Sequence, residues 1–393
     1  MSDILAKEVD GLPATVAYGP GAIRQLPGLV GDLRAQRLLL VCGPRSFEAS
    51  GAAAILPELR AQAAVHRFSD YSPNTSLDDL AAGRRALEEA QADVVVAIGG
   101  GSAMDLAKLL CAFEAEDDVR SRIEAAAPID TRQTRLILAP TTSGSGSEAT
   151  HFAVVYVGQR KHSIAGPAML PDRVVLDPEL TRSASAYQRA TSGIDALCQA
   201  LESLWATAAT DESRDLARRG AALVLGHIEP FVEHASSASA AAMSLGSHLA
   251  GRAINMTKTT GPHAMSYGLT MRHGIPHGHA VALTFGAFLE VHANAGPERL
   301  QEGVDAGAHR AVMAEIATML DARDGAGARR RFTELLVRLG LEPRPGELGV
   351  AGRDEYDHLA ASVNTERLDN NPVALDQGDL VQLLASTNAE PDD

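Results

Sequence analysis

Four of the chain's 13 histidines, His263, His273, His277 and His279, fall within one short stretch of the 393 residues. Upstream, Asp195 and Gln199 stand four apart, which puts both on one face of a helix. A carboxylate with two or more imidazoles is the ligand set of a Lewis-acidic divalent ion such as Fe2+ or Zn2+. The competing account, surface histidines beside helix caps, suits any one of these residues alone. It suits Asp195, His263 and His277 together less well.

A second chemistry is written in glycine. Gly99-Gly100-Gly101-Ser102 follows the apolar run Val94–Ile98, and Ala103, Met104, Asp105, Leu106 and Lys108 then read as the start of a helix. Glycines let backbone N–H groups approach a bulky anion, and a helix N-terminus adds positive dipole, so the turn reads as a pyrophosphate cradle. A further polar turn, Pro140–Glu148 (PTTSGSGSE), follows the run ending at Ala139. Its hydroxyls suit phosphate, ribose or a nicotinamide amide. Both turns fall at strand C-termini, where open α/β sheets bind ligands. There is no GxGxxG after the first strand, no GxxxxGK[ST] and no HExxH.

The elements that must position these groups differ between the two halves. Leu38–Val41, Val94–Ile98 and Leu136–Ala139 are short apolar runs bounded by loop residues, as buried parallel strands are. Ser76 caps a helical stretch carrying Leu77, Leu80 and Leu87. Phe152–Val157 and Val174–Leu176 are expected as edge strands. Beyond about residue 183 the strand signal ends. Helices are expected near 184–206, 211–233, 237–255, 278–293, 309–322, 328–340, 353–363 and 376–386, with a loose acidic tail over 387–393. The expected fold is α/β plus α. An N-terminal Rossmann-like dinucleotide-binding domain with a parallel sheet spans 1–182, and an all-helical metal- and substrate-binding domain spans 183–393.

The composition excludes several classes. Acidic residues outnumber basic ones, 50 to 35, with a net charge of −15 and no basic block to reverse it, so nucleic acid and anionic membrane are not expected partners. Cys42, Cys111 and Cys198 are odd in number and far apart, which fits a reducing compartment and no disulfide framework. The N-terminal MSDILAKEVDGLP has no apolar core, and no stretch approaches a membrane span. A cytoplasmic location is expected.

Over nearly its whole length the chain resembles the iron-containing, or group III, alcohol dehydrogenases. The matching stretches are Tyr18–Ala22 (YGPGA), Gly99–Lys108 (GGGSAMDLAK), Pro140–Glu148, Asp177–Leu180 (DPEL), Gly193–Glu202 (GIDALCQALE), His263–Tyr267 and Pro276–Gly278. The resemblance implies a dinucleotide-binding domain, a helical domain and an active site in their cleft. It implies Asp195, His263 and His277 as metal ligands, with Fe2+ favoured over Zn2+. It implies Gly99, Gly100, Gly101, Ser102 and Asp105 in the pyrophosphate loop, and Thr141, Thr142 and Ser145 toward nicotinamide and phosphate. Lys161 falls where the family has a lysine near the reactive end of the cofactor. A homodimer is also implied.

Three departures matter. The family usually has His where this chain has Gln199, a weaker, neutral ligand. It often has His near the nicotinamide where this chain has Tyr267, whose hydroxyl can still donate a proton. NAD-preferring members carry an Asp after the first strand; here Gly43, Pro44, Arg45 and Ser46 stand there, which favours the 2′-phosphate of NADPH over NADH. The stretch 255–281 is similar to the phosphonoacetaldehyde reductase branch. Asn255, Lys258, Thr259 and Arg272 bracket the first histidine ligand and offer the cations and donors that a phosphonate needs; solvated surface charges at Lys258 and Arg272 are an equal alternative. The implied reaction is hydride transfer from NAD(P)H to an aldehyde on the metal, with the proton from Tyr267, His279 or water. Metal-free maleylacetate reductases and dehydroquinate synthase share the architecture. The carboxylate–imidazole set speaks against the first, and the absence of a Lys/Arg-rich substrate site against the second.

Overall fold

The computed structural model describes residues 8–9, 11–113, 118–158, 160–363 and 365–388, excluding the side chains of 365 and 366. Most of the expected acidic tail, 389–393, and most of the N-terminal segment lie outside those residues. The chain forms two compact units: one runs to Ser185 and includes His234–Gly251, and the other comprises Ala186–Glu233 and the chain from Arg252 onward.

In the first unit the strands are β1 (Val16–Tyr18), β2 (Arg37–Cys42), β3 (Ala64–Phe68), β4 (Val94–Gly99), β5 (Arg135–Pro140), β6 (Phe152–Val157), β7 (Arg160–Ala165) and β8 (Arg173–Leu176). Six of them make a parallel sheet in the order β1-β8-β5-β4-β2-β3. The central strands are apolar throughout because both faces are covered. Leu39, Val41, Val95, Ala97, Leu136 and Leu138 enter one core, while Leu38, Leu40, Val94, Val96, Ile98 and Ile137 enter the other. Helix α1 (Leu77–Ala90) starts at Ser76, whose hydroxyl accepts from the Asp79 N–H while the Asp79 carboxylate accepts from the Ser76 N–H.

Two strand expectations are corrected. β8 is not an edge strand, because β1 adds outside it. β6 does not join the main sheet; it pairs with β7 in a separate antiparallel hairpin.

Helix α2 (Gly101–Ala112) rises directly from the glycine turn after β4. The order reverses at β2, with β3 on one side and β4 on the other, so the turns after β2 and β4 flank the switch point of the sheet. The turn after β5 is held by a backbone contact. A Cβ on Gly146, at φ +59, would lie 2.5 Å from the Gly251 Cα. His248 braces the same turn through a buried 3.1 Å contact of Nδ1 with Glu148.

The second unit is helical among its described residues. Helices α3 (Ala186–Trp205) and α4 (Asp211–His234) precede α5 (Ser237–Thr257), whose last residues belong to this unit; α6 (Gly261–His273) and α7 (His277–Asn294) follow. Helix α6 lies between the expected helices 237–255 and 278–293 and was not among them. Here Pro262 sits in the first helical turn, where its missing N–H costs nothing, and Gly274 ends the helix at φ +67. The N-terminus of α7 docks tightly on α3. A Cβ on Gly278 would lie 1.9 Å from the Thr191 carbonyl oxygen and 2.8 Å from the Asp195 Cβ. Only glycine permits this approach, and it sets His277 beside Asp195.

Gly278→Ala is therefore expected to push α7 off α3, cost about 1–3 kcal/mol of stability, and lower bound metal. Thermal unfolding together with metal analysis of the purified variant checks both effects.

Candidate active site

Helix α3 carries a polar stripe through an apolar helix. Asp195, Gln199 and Glu202 follow at i, i+4 and i+7, and all three are buried. Helix α6 presents His263, and α7 begins with His277. One ligand atom from each of Asp195, His263 and His277 lies within 4.8 Å of the others. The rings of His263 and His277 meet edge to face with centroids 5.4 Å apart.

The imidazoles are oriented by their outer nitrogens. His263 Nδ1 contacts the fully buried Glu202 carboxylate, and its Nε2 lies 3.2 Å from Asp195 Oδ1. Glu202 also accepts from the Thr260 N–H and, at 2.8 Å, from its hydroxyl; Trp205 Nε1 donates to the same hydroxyl at 2.8 Å. Ser266 donates to the His263 carbonyl at 2.7 Å, so its contact with His277 Nδ1 at 3.3 Å is one in which the ring N–H donates. That tautomer leaves the His277 Nε2 lone pair available. Such outer hydrogen bonds fix ligand histidines at metal centres.

The electrostatics call for a cation. Burial alone would depress His263, but Glu202 and Asp195 outweigh it and raise its pKa to about 10. Burial would raise Asp195; hydrogen bonding to His263 and the charges of His277 and His263 hold it below the usual carboxylate range. Gln199 hydrogen-bonds Asp195, and its Oε1 is buried without a hydrogen-bond partner. A carboxylate and two oriented imidazoles gathered at one point, with an acceptor left without a donor one helical turn from the carboxylate, fit a divalent ion. Asp195, His263, His277 and Gln199 are the residues that would hold it.

Other expected site residues divide. Tyr267, one turn from His263, stacks on His277 with ring centroids 6.1 Å apart. His279 does not join the group. Its Nε2 donates to the Glu342 carbonyl at 2.8 Å, leaving Nδ1 to accept from Tyr187 at 3.1 Å, and burial lowers its pKa. Arg272 lies nine residues beyond His263, on the opposite side of α6, where Glu355 accepts from it twice at 2.8 Å. Asn255 is half-buried and Lys258 exposed at the end of α5. Lys258 adopts φ +60, and Asn370 donates to the carbonyls of Thr257 and Thr259 on either side of it. Thr259 itself is buried.

In the first unit the two polar turns lie side by side. A Cβ on Gly100 would meet Thr142 at 3.5 Å, and one on Gly101 would meet Ser145 at 3.2 Å. Thr141 continues the ladder by donating to the Gly99 carbonyl at 2.9 Å. Asp105 accepts from the Ser147 hydroxyl at 2.6 Å and the Val154 N–H at 3.0 Å, so it shapes the second turn. Ser102 accepts from the Asn74 N–H at 3.1 Å. Lys161, on β7, lies close enough to Asp105 to act on its charge. Arg45 and Ser46 are exposed beyond β2, beside Gly43. Ser143, absent from the sequence-based set, has a buried hydroxyl without a partner.

The model of the iron-containing alcohol dehydrogenase family matches residues 13–178, and that of the family's C-terminal part matches residues 189–388. The chain belongs to the iron-containing alcohol dehydrogenase family. It is an oxidoreductase acting on alcohols and aldehydes, and its family uses a nicotinamide nucleotide and a metal. Among its relatives is a phosphonoacetaldehyde reductase of Streptomyces viridochromogenes, 34% identical over 79% of this chain and 80% of that protein. A choline dehydrogenase of Bacillus subtilis is 30% identical over 73% of each. The solved structure of a sulfoacetaldehyde reductase from Bifidobacterium kashiwanohense in complex with NAD+ superposes with a TM-score of 0.84 at 26% identity, covering 96% of this chain and 97% of that one.

Glu202 had no role in the sequence-based reading. Its signal was an acid seven residues from Asp195, two turns on along the same face of the helix.

The raised His263 pKa has a consequence for stability. A proton held more tightly in the folded state stabilises it below about pH 6.5, and that contribution is lost as the pH rises through about 10. Chelator-treated protein should show a falling thermal midpoint across that window, and protein loaded with a divalent ion should show a smaller fall. Paired calorimetric scans from pH 7 to 10 make the comparison.

Proposed function

We propose that the protein reduces a short aldehyde bearing a terminal oxyanion, with phosphonoacetaldehyde as the substrate and 2-hydroxyethylphosphonate as the product, at the expense of NADPH. The observation that carries the reading is the grouping of Asp195, His263 and His277, with Gln199 one helical turn from Asp195 and its Oε1 buried without a partner. Two relatives support the substrate class: one is named for phosphonoacetaldehyde and one for sulfoacetaldehyde, both two-carbon aldehydes with a tetrahedral oxyanion on the second carbon. The choline dehydrogenase relative shows that family membership alone does not choose the substrate.

When bound, a divalent ion supplies Lewis acidity to a carbonyl and the reduced nicotinamide supplies hydride. The chain's own residues do the rest. Glu202 and Ser266 hold the two imidazoles in one tautomer each. Tyr267 orients the substrate and donates the proton that completes the alcohol; His279 is spared for structure by its hydrogen bonds to Glu342 and Tyr187. Lys258 offers the ammonium for the phosphonate, with Asn255 and Thr259 beside it. Gly99–Ser102, Thr141, Thr142, Ser143 and Ser145 receive the cofactor. Arg45 and Ser46, with no carboxylate at the tip of β2, favour a 2′-phosphate.

A metal-free reductase would have no use for ligand atoms of Asp195, His263 and His277 gathered within 4.8 Å of one another, which disfavours that alternative.

Steady-state NADPH oxidation with phosphonoacetaldehyde, acetaldehyde and propionaldehyde tests the proposal. The phosphonate is expected to lead in kcat/KM by about 10- to 100-fold, the worth of a charge-assisted contact. Equal efficiency with acetaldehyde would remove the phosphonate assignment and leave the dehydrogenase standing.

A further inference from the structure

Thr260 is the N-cap of α6, yet its side chain makes no hydrogen bond to that helix. An N-cap threonine ordinarily accepts from a backbone N–H in the first turn. Here Pro262 has none to give, and the hydroxyl turns to α3 instead. It lies 2.8 Å from Glu202 Oε2 and 2.8 Å from Trp205 Nε1. The two ends fix the direction of these bonds. An indole N–H can only donate and a carboxylate can only accept, so the indole donates to the hydroxyl and the hydroxyl donates to Glu202. The other Glu202 oxygen accepts from His263 Nδ1, which turns Nε2 toward Asp195. Thr260, Trp205 and Glu202 are all buried. The indole is fixed in its place, stacked on Phe285 with centroids 5.2 Å apart and edge-on to His292 at 4.7 Å.

We infer that Trp205 is a positioning residue: through Thr260 and Glu202 it holds His263 in the tautomer and orientation that leave Nε2 free for an ion. The inference rests on reading Asp195, His263 and His277 as a metal centre. The indole N–H occupies the acceptor side of the Thr260 hydroxyl, so the hydroxyl proton is directed at Glu202. Glu202 then has three donors, the Thr260 N–H, the Thr260 hydroxyl and His263 Nδ1, and its carboxylate is locked against the imidazole. Outer hydrogen bonds of this kind tune the affinity of a ligand histidine. Bonds in a chain polarise one another, so a donor further out acts in the same sense. Phenylalanine at position 205 would keep an aromatic ring against Phe285 and His292. Only the indole N–H connects that packing to the centre.

Metal affinity of the full chain separates this role from packing. Dissociation constants for Zn2+ are measured against a chromophoric chelator for wild type, Trp205→Phe, Thr260→Val, Thr260→Ser and the double variant Trp205→Phe/Thr260→Val. Thermal unfolding of the chelator-treated proteins verifies that each is folded. Thr260→Val, similar in shape and without the hydroxyl, should weaken Zn2+ by about tenfold or more, and Thr260→Ser should stay within about threefold of wild type. Trp205→Phe should weaken it by about three- to tenfold. The double variant should bind no more weakly than Thr260→Val, because the indole then has nothing to act through. Wild-type affinity in Trp205→Phe, or losses that add in the double variant, overturn the role of Trp205. Wild-type affinity in Thr260→Val overturns the whole chain of hydrogen bonds as a positioning device, with the three-residue centre intact. Failure of the wild type to bind Zn2+ overturns the centre itself.

Discussion

One imidazole held between two buried carboxylates is the constraint on which the second unit is built. His263 touches Asp195 with one nitrogen and Glu202 with the other, and all three are sealed from solvent. Buried anions are tolerable only when paired and hydrogen-bonded. Thr260 donates to Glu202, Trp205 donates to the Thr260 hydroxyl, and Gln199 serves Asp195. The remaining imbalance is met by a proton or by a metal ion, which compete for the same nitrogen. Helices α3, α6 and α7 must then pack closely enough to bring three donors to one point, and Gly278 permits it.

The first unit solves a different problem by similar means. Its sheet delivers two polar turns from adjacent strands, β4 and β5, to one place. The packing of Gly100 and Gly101 against Thr142 and Ser145 makes a single surface of N–H and hydroxyl groups from separate segments. Asp105 acts as an internal brace, and Gly146 meets Gly251 because neither has a side chain to keep them apart. No helix among the described residues is long and apolar enough to cross a membrane. All three cysteines are buried and unpaired, in keeping with the absence of a disulfide framework.

Much of this was legible in residue types and spacing. The central strands announced themselves because burial on both faces makes a continuous apolar run. Asp195 and Gln199 declared a shared helical face, and the histidine cluster marked the ligand region. What escaped notice depended on tertiary packing. Helix α6 has a weak apolar stripe and begins with Gly-Pro, so only its neighbours reveal it as a helix. β1 and β8 are short, and their order in the sheet follows from pairing that no local pattern encodes. Glu202 lay in a recognisable stretch, but its contact with His263 crosses 61 residues. Arg272 was misleading because proximity in sequence to a ligand says little on a helix, where nine residues put it on the far side, against Glu355.

X-ray absorption at the metal edge of the ion-loaded protein tests the central claim most directly. Scattering from two imidazoles, with the remaining donors oxygen at about 2.0–2.2 Å, is the predicted result. A coordination sphere without imidazole, or one unaltered when Asp195 and His263 are both replaced by alanine, would contradict the account.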